Sequence, residues 1–518
     1  MSEKPAEKPK ASRWRRFWRF AWKAFIVYVL VSLALSFIPE GDLPVKELSS
    51  EVARVSGDLL AGAGKAVITP PEEWWGRMNL YNAKPPIKGV ADDLSARALS
   101  FSAPDSANVV TLASIDLLIV PPGMPPAVKK ELERRGLKAP HLTLTATHTH
   151  SGAGNFWDPP FGESYMGVLR PEYVELVVKR TADAIERSIK SMRPARVGFA
   201  SIRTAHLVKQ RRYRDPQTDL PPPVDEDLGV MRVDAKAGGV IAYALNFGAH
   251  PTALNHLSGG KISGDFPGAI STRLEAAHPG AVAVFLQGAE GSVRSTSPPG
   301  YRGYKDIPEA KFAKVAMQGD MLAYYVAEAE KGMAFEDKLD AAAATLVAAL
   351  PGTDAHFFPE ERPWLAVRVL TIIPNWLMNR ALAWMMVPER TAFQAVRINH
   401  AYFFAFPCDL SNRLGWDIKQ LVRRDHVFIL GQANDYSMGY VLAREEYDMG
   451  GAWGLAASER GQDYFGKRAG PFCIKVVALL ADRVKEPGAS DPLFFGVGDE
   501  PNRLPDGTRV GGKGDSPE

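Results

Sequence analysis

The sequence predicts a mixed α/β (α+β) protein, in which a mixed β-sheet core is flanked by helices and one N-terminal transmembrane helix precedes the core. Three observations support this prediction. Short β-rich runs alternate with segments of helical spacing along most of the 518 residues. Gly and Pro separate these runs, as expected at turns. Near the N-terminus, a basic segment leads directly into an uncharged apolar run, which is typical of a membrane anchor.

Composition and charge exclude several classes of protein. The chain is 46% hydrophobic and 23% charged, which is enough apolar material for a large core. The formal net charge is only +3, and part of that excess lies in the first 23 residues, so the body lacks the basic field that nucleic-acid binding requires. The two cysteines, Cys408 and Cys473, allow at most one disulfide and no thiolate metal cluster. We therefore expect no nucleic-acid partner.

The N-terminal segment is predicted to anchor the chain in a membrane. Residues 1–16 form a basic tail, and residues 17–38 can cross the bilayer as a signal anchor if Arg19 and Lys23 reach the interface. The positive-inside rule leaves the tail in the cytoplasm and the rest of the chain outside it, in the periplasm or the extracellular space. A cleavable signal peptide is the alternative, and the protein is then secreted. The absence of a clean A-x-A site after the run favours the uncleaved anchor.

The body of the chain is predicted from the period of its apolar residues. Residues 39–60 are predicted to form a tether, and residues 61–485 are predicted to form the folded domain. The β-rich runs predict strands at 109–119, 141–147, 229–233, 240–247 and 281–286. Helical spacing predicts helices at 127–135, 171–193, 267–277 and 309–331. The second of these helices starts with Pro171, and proline is favoured at the first helical position.

Two further segments differ from the rest of the domain in composition. Residues 363–387 are apolar, but charged and amide side chains interrupt them, so a membrane-spanning helix there would contain several costly polar groups. An amphipathic helix pair fits better, either as a core hairpin or as an insertion that dips its tryptophans into lipid. Residues 486–518 are rich in Pro, Gly and Asp and are predicted to be a disordered tail.

Two histidines at the end of a β run carry the strongest chemical signal. His148 and His150 stand in the segment Thr-His-Thr-His-Ser-Gly. In an extended chain, residues i and i+2 point to the same face, and the glycine-rich loop that follows opens space beside them. Both can bind one metal, or one can bind metal while the other contacts substrate. His250 stands where another β run meets a turn, and three such residues favour a zinc site over unrelated histidines.

Several blocks of sequence together carry a family resemblance. They are Ala-Gly-Ala-Gly-Lys-Ala-Val-Ile-Thr-Pro at 61–70, Asp-Asp-Leu-Ser-Ala-Arg-Ala-Leu at 92–99, Thr-His-Thr-His-Ser-Gly at 147–152, Asn-Phe-Gly-Ala-His-Pro-Thr at 246–252, Ile-Ser-Gly-Asp at 262–265, Phe-Phe-Ala-Phe-Pro-Cys-Asp at 403–409, Ala-Asn-Asp-Tyr-Ser at 433–437 and Glu-Glu-Tyr at 445–447. In this order they resemble the neutral/alkaline, non-lysosomal ceramidase family over about residues 61–480. The resemblance implies that family's zinc hydrolase domain, standing alone without its C-terminal immunoglobulin-like domain.

The resemblance also implies a set of site residues. One zinc ion would be held by four ligands, namely His148, His250, Asp409 and Tyr436. The substrate amide would be lined by His150 and Tyr447, with an arginine from Arg211 or Arg212. The lipid amide substrate and the adjacent bilayer are then the expected partners.

Two positions depart from the family pattern. The acidic ligand of the family is normally glutamate, so Asp409 is one methylene shorter, and the metal or the strand must shift for an oxygen to reach about 2.0–2.2 Å. The family's Gly-Asp-Val-Ser-Pro-Asn segment, with its catalytic serine, appears here as Gly-Ser-Val-Arg-Ser-Thr from 291 to 296. Arg294 stands at the serine position. Either Ser295 takes over by a one-residue slip, or Arg294 stabilises an oxyanion or binds an anionic substrate group.

These observations predict a zinc-dependent hydrolase. Its expected reaction is cleavage of the amide bond of ceramide-like N-acyl lipids to a fatty acid and a sphingoid-type amine. Two alternatives stay open at this point. One is hydrolysis of another amide or an ester, and the other is a non-catalytic, lipid-binding descendant, which the altered serine segment suggests.

Overall fold

The computed structural model describes residues 13–35, 44–81, 86–158, 162–211, 213–214, 217–218, 220–254, 257–296, 308–351, 387–422, 424–447, 449 and 463–486. The predicted insertion at 363–387 and the predicted tail at 486–518 lie outside the described residues, apart from Val387 and Glu486. Arg212 lies outside them as well.

The described part of the chain contains twenty β-strands and eight α-helices. The strands are β1 (Glu47–Asp58), β2 (Leu60–Val67), β3 (Gly89–Val90), β4 (Ser95–Ser102), β5 (Val110–Ile115), β6 (His141–Ala146), β7 (Arg193–Arg203), β8 (Val208–Gln210), β9 (Asp227–Ala235), β10 (Val240–Phe247), β11 (Lys261–Ile262), β12 (Val282–Gln287), β13 (Val293–Ser295), β14 (Phe335–Glu336), β15 (Lys338–Ala349), β16 (Arg390–Ile398), β17 (Ala401–Ala405), β18 (Asp409–Leu410), β19 (His426–Leu430) and β20 (Tyr440–Val441). The helices are α1 (Arg13–Leu35), α2 (Met124–Arg134), α3 (Glu163–Met166), α4 (Pro171–Lys190), α5 (Asp265–Ala277), α6 (Pro308–Glu330), α7 (Asn412–Leu421) and α8 (Ala469–Val484).

Two large sheets form the centre of the molecule. One has nine strands in the order β12-β10-β9-β7-β2-β4-β5-β6, with β14 paired to β7. Its β10–β12 and β5–β6 pairs are parallel, whereas its other pairs are antiparallel, so the sheet is mixed as predicted. The other sheet has five strands in the order β1-β15-β16-β17-β19. Three two-stranded ribbons, β3–β11, β8–β13 and β18–β20, complete the strand pairing.

The sheets pack face to face with helices on both outer sides. Phe403 on β17 points into the layer between the sheets, whereas its neighbours Tyr402 and Phe404 point to α7 and α8. Both faces of this strand are therefore buried, which explains its uninterrupted apolar sequence. The outer face of the nine-stranded sheet is covered by α2 and α4 on one half and by α5 and α6 on the other. The expectation of β-sheet flanked by helices is confirmed.

Two glycines on β2 allow a helix to approach the sheet closely. Gly62 and Gly64 stand two residues apart, on the same face of the strand. A Cβ atom at either position would overlap a backbone carbonyl of α4, that of Ser188 or that of Ala184. The Ala-Gly-Ala-Gly block thus has a packing role, because side chains at these positions would push α4 away from the sheet.

The N-terminal region differs from its prediction in one respect. Residues 47–58, which fall within the expected tether at 39–60, form β1 instead. Ala53 and Val55 of this strand are buried on either side of the exposed Arg54, and β1 is the edge strand of the five-stranded sheet next to β15. The helix α1 covers most of the predicted anchor, but no helix in the described part of the chain combines the length and apolar content needed to cross a bilayer. The transmembrane segment stays a prediction.

Candidate metal centre

The predicted histidines meet at the ends of strands. His148 follows β6, His250 follows β10, and Asp409 opens β18 just after β17. The nine-stranded sheet curls, so that its edge strand β12 also contacts β4, β5 and β6 near the opposite edge. β12 and β10 also contact β19 of the other sheet. Residues far apart in the sequence are thereby brought to one point.

The predicted ligand atoms lie close to one another. The His148 and His250 Nε2 atoms are 3.0 Å apart, and His148 Nε2 lies 3.3 Å from both His150 Nε2 and Asp409 Oδ1. Nitrogen atoms bound to one tetrahedral zinc at about 2.0–2.1 Å lie about 3.3–3.4 Å apart. The structure therefore brings together three of the predicted ligands, with His150 beside them.

Backbone carbonyls orient the two ligand histidines. His148 Nδ1 lies 2.6 Å from the Leu118 carbonyl, and His250 Nδ1 lies 3.2 Å from the Glu290 carbonyl. A proton on His148 Nδ1 is donated to the Leu118 carbonyl, which leaves the His148 Nε2 lone pair facing the cluster. His250 Nδ1 lies between the Glu290 carbonyl and the Arg211 guanidinium, which can only donate a hydrogen bond. A metal ion bound to His148 Nε2 would have His250 Nε2, His150 Nε2 and Asp409 Oδ1 within reach, because these atoms lie 3.0–3.3 Å from His148 Nε2. The donor set therefore fits a bound metal ion.

Burial keeps these imidazoles neutral. It lowers the pKa of His148, although Asp409 opposes the effect, and it lowers the pKa of His150 and of His250 well below 6.5. The cation of Arg211 lowers all three pKa values further. A neutral imidazole is the form that binds metal, so no proton has to be removed from these side chains near pH 7.

Asp409 is held by two donors on the other side of the cluster. Its Oδ2 accepts a hydrogen bond from Tyr436 Oη at 2.7 Å, and its Oδ1 accepts one from Gln432 Nε2 at 2.6 Å. Gln432 Nε2 also donates to Glu290 Oε1 at 2.9 Å. Both His148 and Gln432 have positive φ angles, 62° and 52°, which residues other than glycine rarely adopt and which often mark functional sites.

Glu290 is a site residue that the sequence analysis missed. Its carboxyl is fully buried, its Oε2 has no hydrogen-bond partner among the described residues, and its ligand atom lies within 4.8 Å of those of His148 and Asp409. Burial, followed by the charge of Asp409, raises the pKa of Glu290 well above 4.5. A buried oxygen of this kind can serve as a ligand of a cation. The sequence did offer one indication of Glu290, because this residue stands just after a β run, as His148 and His250 do.

The remaining predicted residues lie in different settings. Tyr447 donates to Asp463 at 2.6 Å rather than to the histidine cluster. Arg211 reaches the cluster, because its Nη1 lies 3.3 Å from His250 Nδ1. Arg294 is exposed on β13, whereas Ser295 points inward and its Oγ has no hydrogen-bond partner among the described residues. The catalytic roles of these residues stay predictions.

Two aromatic rings flank the cluster. Tyr81 packs edge-on against His150 with ring centroids 5.0 Å apart, and Trp157 packs edge-on against Tyr436 at 6.2 Å. Neither ring was expected from the sequence. They limit the orientations that His150 and Tyr436 can adopt.

Comparison with known proteins supports the resemblance at the level of structure. Neither a family model nor a curated protein matches the sequence. The crystal structure of neutral ceramidase from Pseudomonas aeruginosa aligns with a TM-score of 0.65 and 18% identity, over 84% of this chain and 76% of that chain. A structure of ceramidase complexed with C2 aligns with a TM-score of 0.62 and 19% identity, over 84% and 77%. The resemblance predicted from the sequence is thus confirmed structurally, and this chain has the fold of the neutral ceramidases.

Proposed function

We propose that this protein is a metal-dependent hydrolase that cleaves the amide bond of a ceramide-like N-acyl lipid, releasing a fatty acid and a sphingoid-type amine. The observation that carries the proposal is the convergence of His148, His250 and Asp409, with His150 beside them, around one point. The fold shared with neutral ceramidases supports the substrate class.

The residues present fit a single Zn²⁺. His148, His250 and Asp409 would hold it, with Tyr436 as the fourth ligand beside Asp409. Histidine nitrogen and carboxylate oxygen are donors that zinc commonly takes in proteins. When bound, the ion would polarise the amide carbonyl and lower the pKa of a water molecule to about 7.

The side chains around the ligands have separate tasks. The Leu118 carbonyl orients His148, and Gln432 orients Asp409, as partners behind metal ligands commonly do. His150 is neutral and adjacent to the cluster, so it can accept the proton released as water attacks and return it to the leaving nitrogen. Tyr81 restricts the rotation of the His150 ring during this transfer.

The proposal includes a location for the enzyme. The basic tail at 1–16 and the apolar run at 17–38 support an anchored protein whose catalytic domain lies outside the cytoplasm. A protease added to cells whose outer envelope has been opened, but whose cytoplasmic membrane is intact, should digest the domain. Digestion only after lysis would contradict this location.

Hydrolysis and metal content of the purified full-length chain test the function. We expect cleavage of a short-chain ceramide, loss of this activity with a chelator, and its recovery when Zn²⁺ is added back. The variant His148→Ala should lose both bound zinc and more than about 100-fold in kcat/KM, because a ligand contributes more than the groups behind it. His400→Gln is the matched control, since His400 is exposed on a surface turn.

The outcomes separate the alternatives. A metal-free protein that keeps full activity refutes the metal site. Zinc-dependent cleavage of simple N-acyl amines or esters but not of ceramide points to another hydrolase. Ceramide binding without turnover by the zinc-loaded protein points to a non-catalytic, lipid-binding descendant.

A further inference from the structure

A two-stranded ribbon connects the candidate metal centre to a group of basic side chains. The antiparallel register of β8 and β13 places Lys209 directly opposite Arg294. Both residues are exposed, whereas Val208 and Val293 on the same strands are buried. Like charges directly opposite each other on neighbouring strands repel and destabilise the pairing. The ribbon therefore places two cationic side chains next to each other.

Helix α6 brings two more cations to the same place. Gln318 Nε2 donates to the carbonyl of Thr296, the residue after β13, so this face of α6 lies against the end of the ribbon. Lys314 and Lys311 stand four and seven residues before Gln318 and thus on the same helical face. Both lie in the first two turns of α6.

The charges of this basic group affect the pKa values of two of its lysines. Burial lowers the pKa of Lys314, and Lys311, Arg294 and Lys209 lower it further, whereas the buried carboxyl of Asp265 opposes them. Burial also lowers the pKa of Lys209, and Arg294 adds to that effect. An anion placed among these side chains would form charge-assisted hydrogen bonds with them.

One member of this group of basic side chains, Lys209, is close in the sequence to a residue that contacts the metal centre. Arg211 stands two residues after Lys209, about 7 Å in an extended strand. The Arg211 guanidinium lies 3.3 Å from His250 Nδ1, and the Arg211 N–H donates to the Ser292 carbonyl at 3.0 Å. A substrate whose amide reaches the histidines can therefore extend a charged group to the ribbon.

We propose that Lys209, Arg294, Lys311 and Lys314 bind an anionic group of the amide substrate, such as a phosphate, a sulfate or a carboxylate. This inference rests on the proposed function and narrows its substrate class to acidic N-acyl compounds. Arg294, at the position of the family's serine, then serves in substrate recognition.

Three matched substrates test the proposal. N-Dodecanoylethanolamine is neutral, its O-phosphate carries a phosphate, and N-dodecanoyl-β-alanine carries a carboxylate. With the full-length zinc-loaded protein, we expect kcat/KM to be at least about tenfold higher for the two anionic amides. The double variant Lys209→Gln/Lys314→Gln should reduce the ratio of anionic to neutral kcat/KM by at least about tenfold. Lys130→Gln, on the exposed face of α2, should leave the ratio unchanged.

Each result supports or overturns the proposal. Equal kcat/KM for all three amides overturns it and leaves the proposed function intact. A double variant that instead loses binding to phosphatidylserine vesicles, while its ratio of anionic to neutral kcat/KM stays unchanged, is a third outcome. In that case the cations bind the membrane surface, and the substrate proposal is overturned. If no amide is cleaved, the proposed function fails. Calorimetric binding of the phosphate-bearing amide, weakened in the double variant, then still supports the anion site, and equal binding overturns it.

Discussion

Glu446 gives the fold a pH dependence that can be measured. Its side chain is fully buried, and it accepts a hydrogen bond from the Ala443 N–H at 2.9 Å. Burial raises the pKa of this carboxyl to about 7, against the opposing hydrogen bonds from Ser411 and Ala443. The neighbouring carboxylate of Glu445 raises the pKa further. Ionisation of Glu446 in the folded protein is therefore unfavourable.

The size and sign of the effect follow from this pKa. Between pH 4.5 and about 7, the folded protein binds a proton at Glu446 that the unfolded chain has lost, so stability falls as the pH rises. The full difference corresponds to at most about 3 kcal/mol. Glu446→Gln keeps the shape and an acceptor for Ala443 but cannot ionise. Relative to the original protein, the variant should gain up to about 3 kcal/mol between pH 5 and pH 8.

Equilibrium urea unfolding at pH 5 and pH 8, followed by circular dichroism, measures this gain. Glu133→Gln on α2 is the control, because Glu133 is exposed and should show no such pH dependence. A difference between Glu446→Gln and the original protein that is the same at both pH values would refute the reasoning. It would show that burial does not oppose the ionisation of Glu446 in the folded protein.

Three other substitutions test packing and the metal centre. Phe403→Ala should lower the unfolding free energy by about 3–5 kcal/mol in denaturant titrations, because the buried ring stacks on Phe428 with centroids 4.5 Å apart. Gly64→Ala should lower it by about 1–3 kcal/mol, because the new methyl group meets the Ala184 carbonyl. Gln432→Leu should weaken zinc affinity about 10–100-fold in competition with a chelator, since Asp409 loses a donor. An unfolding free energy or a zinc affinity equal to that of the original protein would contradict the contact on which that prediction depends.

The sequence was most informative where apolar residues show a clear period and where a histidine follows a predicted strand. The periods of apolar residues placed β5, β6, β9, β10 and β12 and the helices α2, α4, α5 and α6 within a few residues. His148, His150 and His250 could be predicted to meet, because each follows a strand at a turn. Asp409 and Tyr436 depended on the family resemblance, since isolated aspartates and tyrosines have ordinary structural roles far more often.

Other features depended on tertiary pairing that no local pattern encodes. The serine-rich sequence of β1 predicts a tether, and β15 contains four consecutive alanines, which are weak strand formers. Each is a strand because it pairs with the other across the five-stranded sheet. Glu290 was missed for a similar reason, because its place depends on the parallel pairing of β12 with β10 and on the contact of β12 with β6.

The central claim is that His148, His250 and Asp409, together with Tyr436, share one cation. X-ray absorption at the zinc edge of the purified full-length protein tests this most directly, together with the zinc content per chain. We expect one zinc per chain, surrounded by nitrogen and oxygen at about 2.0–2.1 Å with imidazole scattering, and loss of that signal in the variant His148→Ala/His250→Ala. A sulfur shell at about 2.3 Å, or an unchanged spectrum in the variant, would contradict the claim.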